Sequence, residues 1–67
     1  MTDVITTADM LSCANRELAM RKATYPRWIE AKKMSAGKAA HELACMAVIV
    51  EHFRKLAEAE REQQAVP

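Results

Sequence analysis

Apolar residues recur along this chain at steps of three and four, the period of a helix that turns one face to a core. The clearest run passes through Ala36, Ala39, Leu43, Met46, Val50, Phe53 and Ala57, with the two steps alternating over three heptads. A second row, Cys45, Val48, Ile49 and Leu56, widens this stripe beyond a single seam. Nearer the start, Leu11, Ala14 and Leu18 lie beside Met10, Cys13 and Met20 in a shorter stripe of the same kind.

Local signals set the boundaries. Thr6 opens a Thr-x-x-Asp pattern ending at Asp9, which supplies a side-chain acceptor and a carboxylate where a helix N-terminus needs them. Helix 1 is predicted over about 7–24, because Tyr25 precedes Pro26 and a residue before proline is pushed out of the α region. Pro26 then suits the first turn of a short helix over about 26–32, capped by Thr24 or Tyr25, and a kinked continuation of helix 1 is the rival reading. Lys33, Met34 and Ser35 form a break, Ser35 caps the next element, and Gly37 falls in its first turn. A long helix follows over about 36–62.

The prediction is therefore an all-α, antiparallel helical hairpin, one domain over 1–67 with flexible ends at 1–5 and 63–67. At 1.5 Å per residue the long helix spans roughly 40 Å and helix 1 about 27 Å. The long helix thus has more apolar length and breadth than helix 1 can cover, and a second copy of the chain is the economical cover. Leu43, Met46, Val50, Phe53, Ile49 and Leu56 are the expected core and oligomer seam, so the hairpin is expected to be oligomeric through the long helix.

Composition sharpens this picture. A chain of 67 residues hides only about 60% of its unfolded surface, and a core that small rarely yields more than roughly 3–5 kcal/mol. One glycine, two prolines and three aromatic residues among abundant Ala, Met, Glu, Lys and Arg are helix-former composition without strand composition. Cys13 and Cys45 lie far apart with no CxxC or Cys/His cluster apparent around either, which argues against zinc, and no metal or cofactor is expected. Each has apolar helical neighbours, so both are expected as small buried hydrophobes, with a hairpin-clamping disulfide the lesser alternative. The first residues show an early acid, no basic start and no long apolar run, and no window approaches a membrane span. The expected compartment is the cytosol, away from any membrane.

The formal charge of +1 conceals a segregation. Residues 16–38 hold seven basic groups (Arg16, Arg21, Lys22, Arg27, Lys32, Lys33, Lys38) against the acids Glu17 and Glu30. The first fifteen residues carry two acids and no base, and residues 39–67 carry five acids against three bases. The connection between the long elements is thus a basic end on an otherwise neutral or acidic rod. Tyr25 and Trp28 fall inside it. Lysine and arginine neutralise phosphate and an aromatic face stacks on a base, so Arg21, Tyr25, Arg27, Trp28, Lys32, Lys33 and Lys38 are candidate ligands for an anion or nucleotide. The competing reading is that Trp28 and Ile29 plug the open end of the hairpin while the cations are simply solvated.

Catalysis is not expected. His41 and His52 stand about 16 Å apart along one helix and cannot share a metal within a chain. His41 with Glu42, or His52 with Glu51, offers an acid/base pair with no nucleophile and no orienting third group. A helix-turn-helix is disfavoured as well, because the long helix is too apolar to read bases and a net charge of +1 is weak for a duplex binder.

The run Arg16-Glu17-Leu18-Ala19-Met20-Arg21, then Tyr25-Pro26-Arg27-Trp28-Ile29, then Met34-Ser35, Lys38-Ala39, Glu42-Leu43 and Met46 resembles a group of short helical phage and prophage proteins. Their shared pattern is R-E-L-x-M-R, then Y-P-x-W-[IV], then M-[ST] and a long helix. The resemblance covers about residues 16–53 and implies a phage setting without attaching an activity. Lys32-Lys33 departs from it, standing where a glycine-containing pair such as Gly-Lys or Gly-Arg is expected, which predicts a more helical turn in this chain. In architecture alone the chain is similar to small helical phage proteins that oligomerise and sequester the cyclic nucleotide signals of bacterial immunity.

Together these readings predict a non-enzymatic phage-derived protein of the host bacterial cytosol that counters a host antiviral system by stoichiometric binding. Its partners are further copies of itself and a small anionic nucleotide held at subunit junctions. The alternatives are an inhibitor that occupies a host bacterial protein through a helix face, and, less favoured, a nucleic-acid-binding accessory protein.

Overall fold

The computed structural model describes residues 4–65. Two α-helices, α1 (Thr7–Glu30) and α2 (Ala36–Ala65), pack side by side as a hairpin, with no strand among the described residues. Both N-termini form where the capping residues stand. The Asp9 N–H donates to Thr6 Oγ1 at 3.1 Å and the Thr6 N–H donates back to the Asp9 carboxylate at 3.0 Å, a complete capping box. That backbone donor holds the Asp9 carboxyl below its ordinary range. At α2 the Lys38 N–H donates to Ser35 Oγ at 3.1 Å.

The expected three helical pieces are two. Instead of ending at Thr24 and restarting at Pro26, α1 runs through Pro26 to Glu30. Neither Thr24 nor Tyr25 caps a helix. Tyr25 follows Leu11 and Leu18 at steps of seven, so ending the helix before it would withdraw it from the seam; kept in phase, it is buried. Burying a large apolar side chain contributes about 1.5–3 kcal/mol and an aromatic pair a further ~0.5–1.5 kcal/mol, which matches the roughly 3 kcal/mol cost of an interior proline.

The turn is also less helical than Lys32-Lys33 suggested. The Lys32 N–H donates to the Ile29 carbonyl at 3.0 Å and the Lys33 N–H to the Trp28 carbonyl at 2.8 Å, the two bonds of a Schellman close, with Lys32 at φ 60°. This left-handed position is the one that favours glycine, so Lys32 occupies a glycine site at a steric cost. Lys32→Gly is expected to stabilise the hairpin by about 1 kcal/mol, raising Tm by roughly 4–8 °C at this chain size. A thermal melt that moves down instead would contradict the strain.

The seam runs through Ala14 and Tyr25 of α1 and Ala39 and Met46 of α2, all buried. Leu11 and Leu18 on one side, and Leu43, Val50, Phe53 and Ala57 on the other, are half-buried. Thr7 Oγ1 donates to Glu60 Oε1 at 2.8 Å and so ties the start of α1 to the far end of α2. Of the expected seam, Ile49 and Leu56 do not enter this contact and remain exposed. Cys13 and Cys45, expected to be buried, are free and exposed. The reason is shared: two helices touch along one narrow stripe each, and the outer row of a broad apolar face is left over.

That leftover is one-sided. Helical phase puts Cys13, Met20 and Trp28 of α1 on the flank from which Arg21 reaches across to Glu42. In an antiparallel pair the same side of α2 carries Cys45, Ile49 and Leu56, while Val48, 69% exposed, points directly away from the seam. The hairpin measures 55 × 29 × 13 Å, with a radius of gyration of 15.8 Å against roughly 11 Å for a compact chain of this length. Its accessible surface of 5436 Å² exceeds by about 1200 Å² the roughly 4200 Å² of a compact monomer of this mass.

Of the loose ends predicted at 1–5 and 63–67, residues 1–3 and 66–67 lie outside the described residues. Val4 and Ile5 are non-helical and exposed. Gln63 and Gln64, expected to fray, continue α2 to Ala65, as good helix formers can. Among the described residues no helix is long and apolar enough to cross a membrane.

Candidate functional site

The seven candidate ligand residues do not converge on one site. Arg21 is half-buried and committed: its Nε lies 2.9 Å from Glu17, and its Nη1 donates to the Glu42 backbone carbonyl at 3.2 Å, with the Glu42 carboxylate 3.7 Å away. Glu17, then the surrounding charges, raise its pKa further. Arg21 is therefore a strut between the helices, with little left to offer a phosphate.

Tyr25 and Trp28 divide the two competing expectations between them. Tyr25 is core, 9% exposed, whereas Trp28 is 44% exposed and does not plug the hairpin. Their rings stack at 5.8 Å with 30° between planes. Trp28 thus has one face held by a fixed neighbour and leaves area open to a flat ligand. The slot beside it, about 250 Å³, is lined by Glu17, Met20, Arg21, Thr24, Tyr25 and Trp28. One acid faces one base there, so it is not an anion site by charge.

The cations gather elsewhere. Lys32 and Lys33 line an open depression of about 470 Å³ at the turn, with Ile29, Met34, Ser35 and Ala36. It opens on the N-terminus of α2, whose first turn carries no carboxylate. Backbone N–H groups and the helix dipole favour negative charge at such an end. Arg27 and Lys38 are exposed and line neither cavity. Among the described residues, no ion pair engages Arg27, Lys32, Lys33 or Lys38. The arrangement can hold an anion at the turn and a flat ring at Trp28, in two separate cavities of one chain.

One juxtaposition escaped the sequence reading. Cys45 Sγ lies 3.5 Å from His41 Nε2, both exposed on α2. The signal was available: His41 and Cys45 are four residues apart on a helix and therefore neighbours on its surface. Sequence adjacency pairs the imidazole with Glu42 and no nucleophile, whereas its neighbour on the helix surface is a thiol. His52 instead stands edge-on to Phe53, ring centroids 5.4 Å apart.

Comparison of the chain with protein-family models, with curated proteins and with solved structures finds no match.

Proposed function

We propose that this chain is a non-catalytic binding protein that works as an assembly of hairpins and takes up an anionic, nucleotide-type ligand at junctions between copies. The observation that carries the reading is the pair Lys32 and Lys33 at the acid-free N-terminus of α2. Two ammonium groups, a row of backbone donors and the Ser35 hydroxyl suit a phosphate in both charge and geometry. A base needs a stacking surface as well, and Trp28 offers one on a different cavity wall. Within one hairpin the two halves stay apart. Where copies meet, the turn of one chain and the Trp28 face of its neighbour become two walls of one site, which is why the ligand belongs to the assembly.

Self-association rests on surface. The excess of about 1200 Å² over a compact monomer is more than the roughly 800 Å² each partner buries in a standard interface. The resemblance to short phage proteins supplies the setting: a stoichiometric antagonist in the bacterial cytosol, binding a host signal and not processing it. A second reading, occupation of a host protein through a helix face, is favoured by the exposed row Val48, Ile49 and Leu56.

The test is a thermal-shift panel of mono-, cyclic and oligonucleotides. A ligand at a hundred times its Kd stabilises the folded form by about 2.7 kcal/mol, a shift of several degrees or more. Lys33→Ala should shrink the shift and leave the ligand-free melt in place, since that side chain is exposed. If the melting point does not move for any member of the panel, the nucleotide reading fails and the host-protein reading stands.

A further inference from the structure

We infer that His41 and Cys45 are half of a binding site for a zinc-class divalent cation, and that His52 of a second copy completes it. The inference rests on the self-association proposed above and adds to it a ligand set, a metal and a register for one contact between copies; that contact keeps the two turns at opposite ends, so the nucleotide junction belongs to a different contact.

The first support is a distance. In a tetrahedral zinc site with Zn–S about 2.3 Å and Zn–N about 2.0–2.1 Å, a thiolate sulfur and an imidazole nitrogen are about 3.6 Å apart. Cys45 Sγ and His41 Nε2 are 3.5 Å apart. The spacing of four residues on a rigid helix holds them there, so a cation can be gripped without moving the backbone. Soft thiolate with borderline imidazole selects zinc over magnesium or calcium. On binding, the Cys45 thiol gives its proton to solvent and a sulfur–metal bond replaces the S–H bond.

The second support is incompleteness. Among the described residues no three His, Cys, Asp or Glu side chains of one chain are placed to hold a metal. Two ligands leave a tetrahedral site half filled, and a third from a second copy would hold the cation more firmly.

The third support names that partner. The pair borders an almost wholly apolar depression of about 440 Å³, lined by His41, Ala44, Cys45, Val48 and Ile49. The metal-ligating positions of this outer face of α2 are placed evenly about its apolar centre. Val48 and Ile49 flank the midpoint, Cys45 and His52 stand three to four residues to either side, and His41 and Leu56 stand seven to eight to either side. An isologous contact demands such self-complementarity. Turned antiparallel about a twofold axis between Val48 and Ile49, a second α2 sets its His52 opposite Cys45, and its Leu56 opposite His41. Each dimer then holds two equivalent Cys-His-His sites, with water in the fourth position of each.

The test uses the full chain, stripped of metal and kept reduced with a non-chelating phosphine. Cobalt(II) is titrated while its absorption is followed, and zinc is titrated during sedimentation velocity. The expected results are a thiolate-to-cobalt charge-transfer band with tetrahedral d–d bands, and chain association strengthened at least tenfold by zinc. Cys45→Ser and His52→Ala should each remove both effects, and Cys13→Ser neither. All three side chains are exposed, and circular dichroism verifies that each variant folds.

Association without any thiolate band overturns the metal site and leaves the self-association reading intact. Cobalt bound by a chain that stays monomeric overturns completion by a second copy. An unchanged spectrum in His52→Ala overturns the register. No association and no cobalt band overturn both readings together.

Discussion

Met46→Ala is expected to leave an isolated hairpin without a cooperative thermal transition. Met46 is the largest aliphatic side chain among the buried residues and lies near the middle of the contact, four residues from half-buried Val50 and three from half-buried Leu43. Truncating a buried methionine to alanine costs about 2–5 kcal/mol, through lost transfer energy and the cavity left behind. A chain of this size has only roughly 3–5 kcal/mol to lose. Ala14 and Ala39 have no side-chain volume to shift into the gap, so the cavity stays open. The measurement is a circular dichroism melt at low micromolar concentration: a shallow, non-sigmoidal loss of helix in Met46→Ala, and a sharp transition in Met46→Leu, a swap that conserves volume. A sharp transition in Met46→Ala within a few degrees of the parent would mean that the seam does not hold the fold.

The same residue shows how much of the fold was legible. Steps of three and four from Ala36 to Ala57 pick out Met46, Ala39, Leu43, Val50 and Phe53, and these side chains form the α2 half of the contact. The Thr6 and Ser35 caps were equally readable, because a capping side chain bonds to a backbone group only three residues away. Pro26 misled because its preference is local while the reason to continue the helix is not. Tyr25 gains its burial from α2, a partner that a boundary rule does not see. The left-handed backbone at Lys32 was missed in the other direction. A lysine carries no sign that it stands in a glycine conformation, although the glycine expected there by resemblance marked the spot.

The candidate site was legible as a composition and not as a place. Counting cations between Arg16 and Lys38 found a basic end correctly, yet it could not tell a strut from a ligand. Arg21 is taken by Glu17 four residues before it and by Glu42 on the other helix, and only the first partner is visible in sequence. Trp28 and Lys32 are four residues apart, but the helix ends between them, and the turn sends the lysines to a separate cavity. The broad stripe on α2 was read correctly as too wide for α1. The sequence does not rank the two rows, because both are apolar and helical phase alone does not say which one α1 covers.

That left-over row supports the second large expectation: Val48→Glu with Ile49→Glu should abolish self-association and at the same time leave the single hairpin folded. Both side chains are exposed in the hairpin, so the substitutions remove no contact of the seam. Glutamate is the better helix former than either β-branched residue, which favours α2 slightly. In an assembly the same positions fall at the centre of the apolar face, where two carboxylates from each copy are desolvated without partners. A cost of about 3 kcal/mol weakens association at least a hundredfold. The parent chain should therefore show a Tm that climbs with protein concentration, as linkage to assembly requires, and the variant a Tm that does not. Because the two effects have opposite signs, a variant that has merely unfolded is distinguished from one that has only lost its partner: helicity at low concentration must hold or rise. A parent chain that sediments as a monomer at high micromolar concentration, or a variant that still associates, would leave the exposed face of α2 without the role given to it, and the junction sites would go with it.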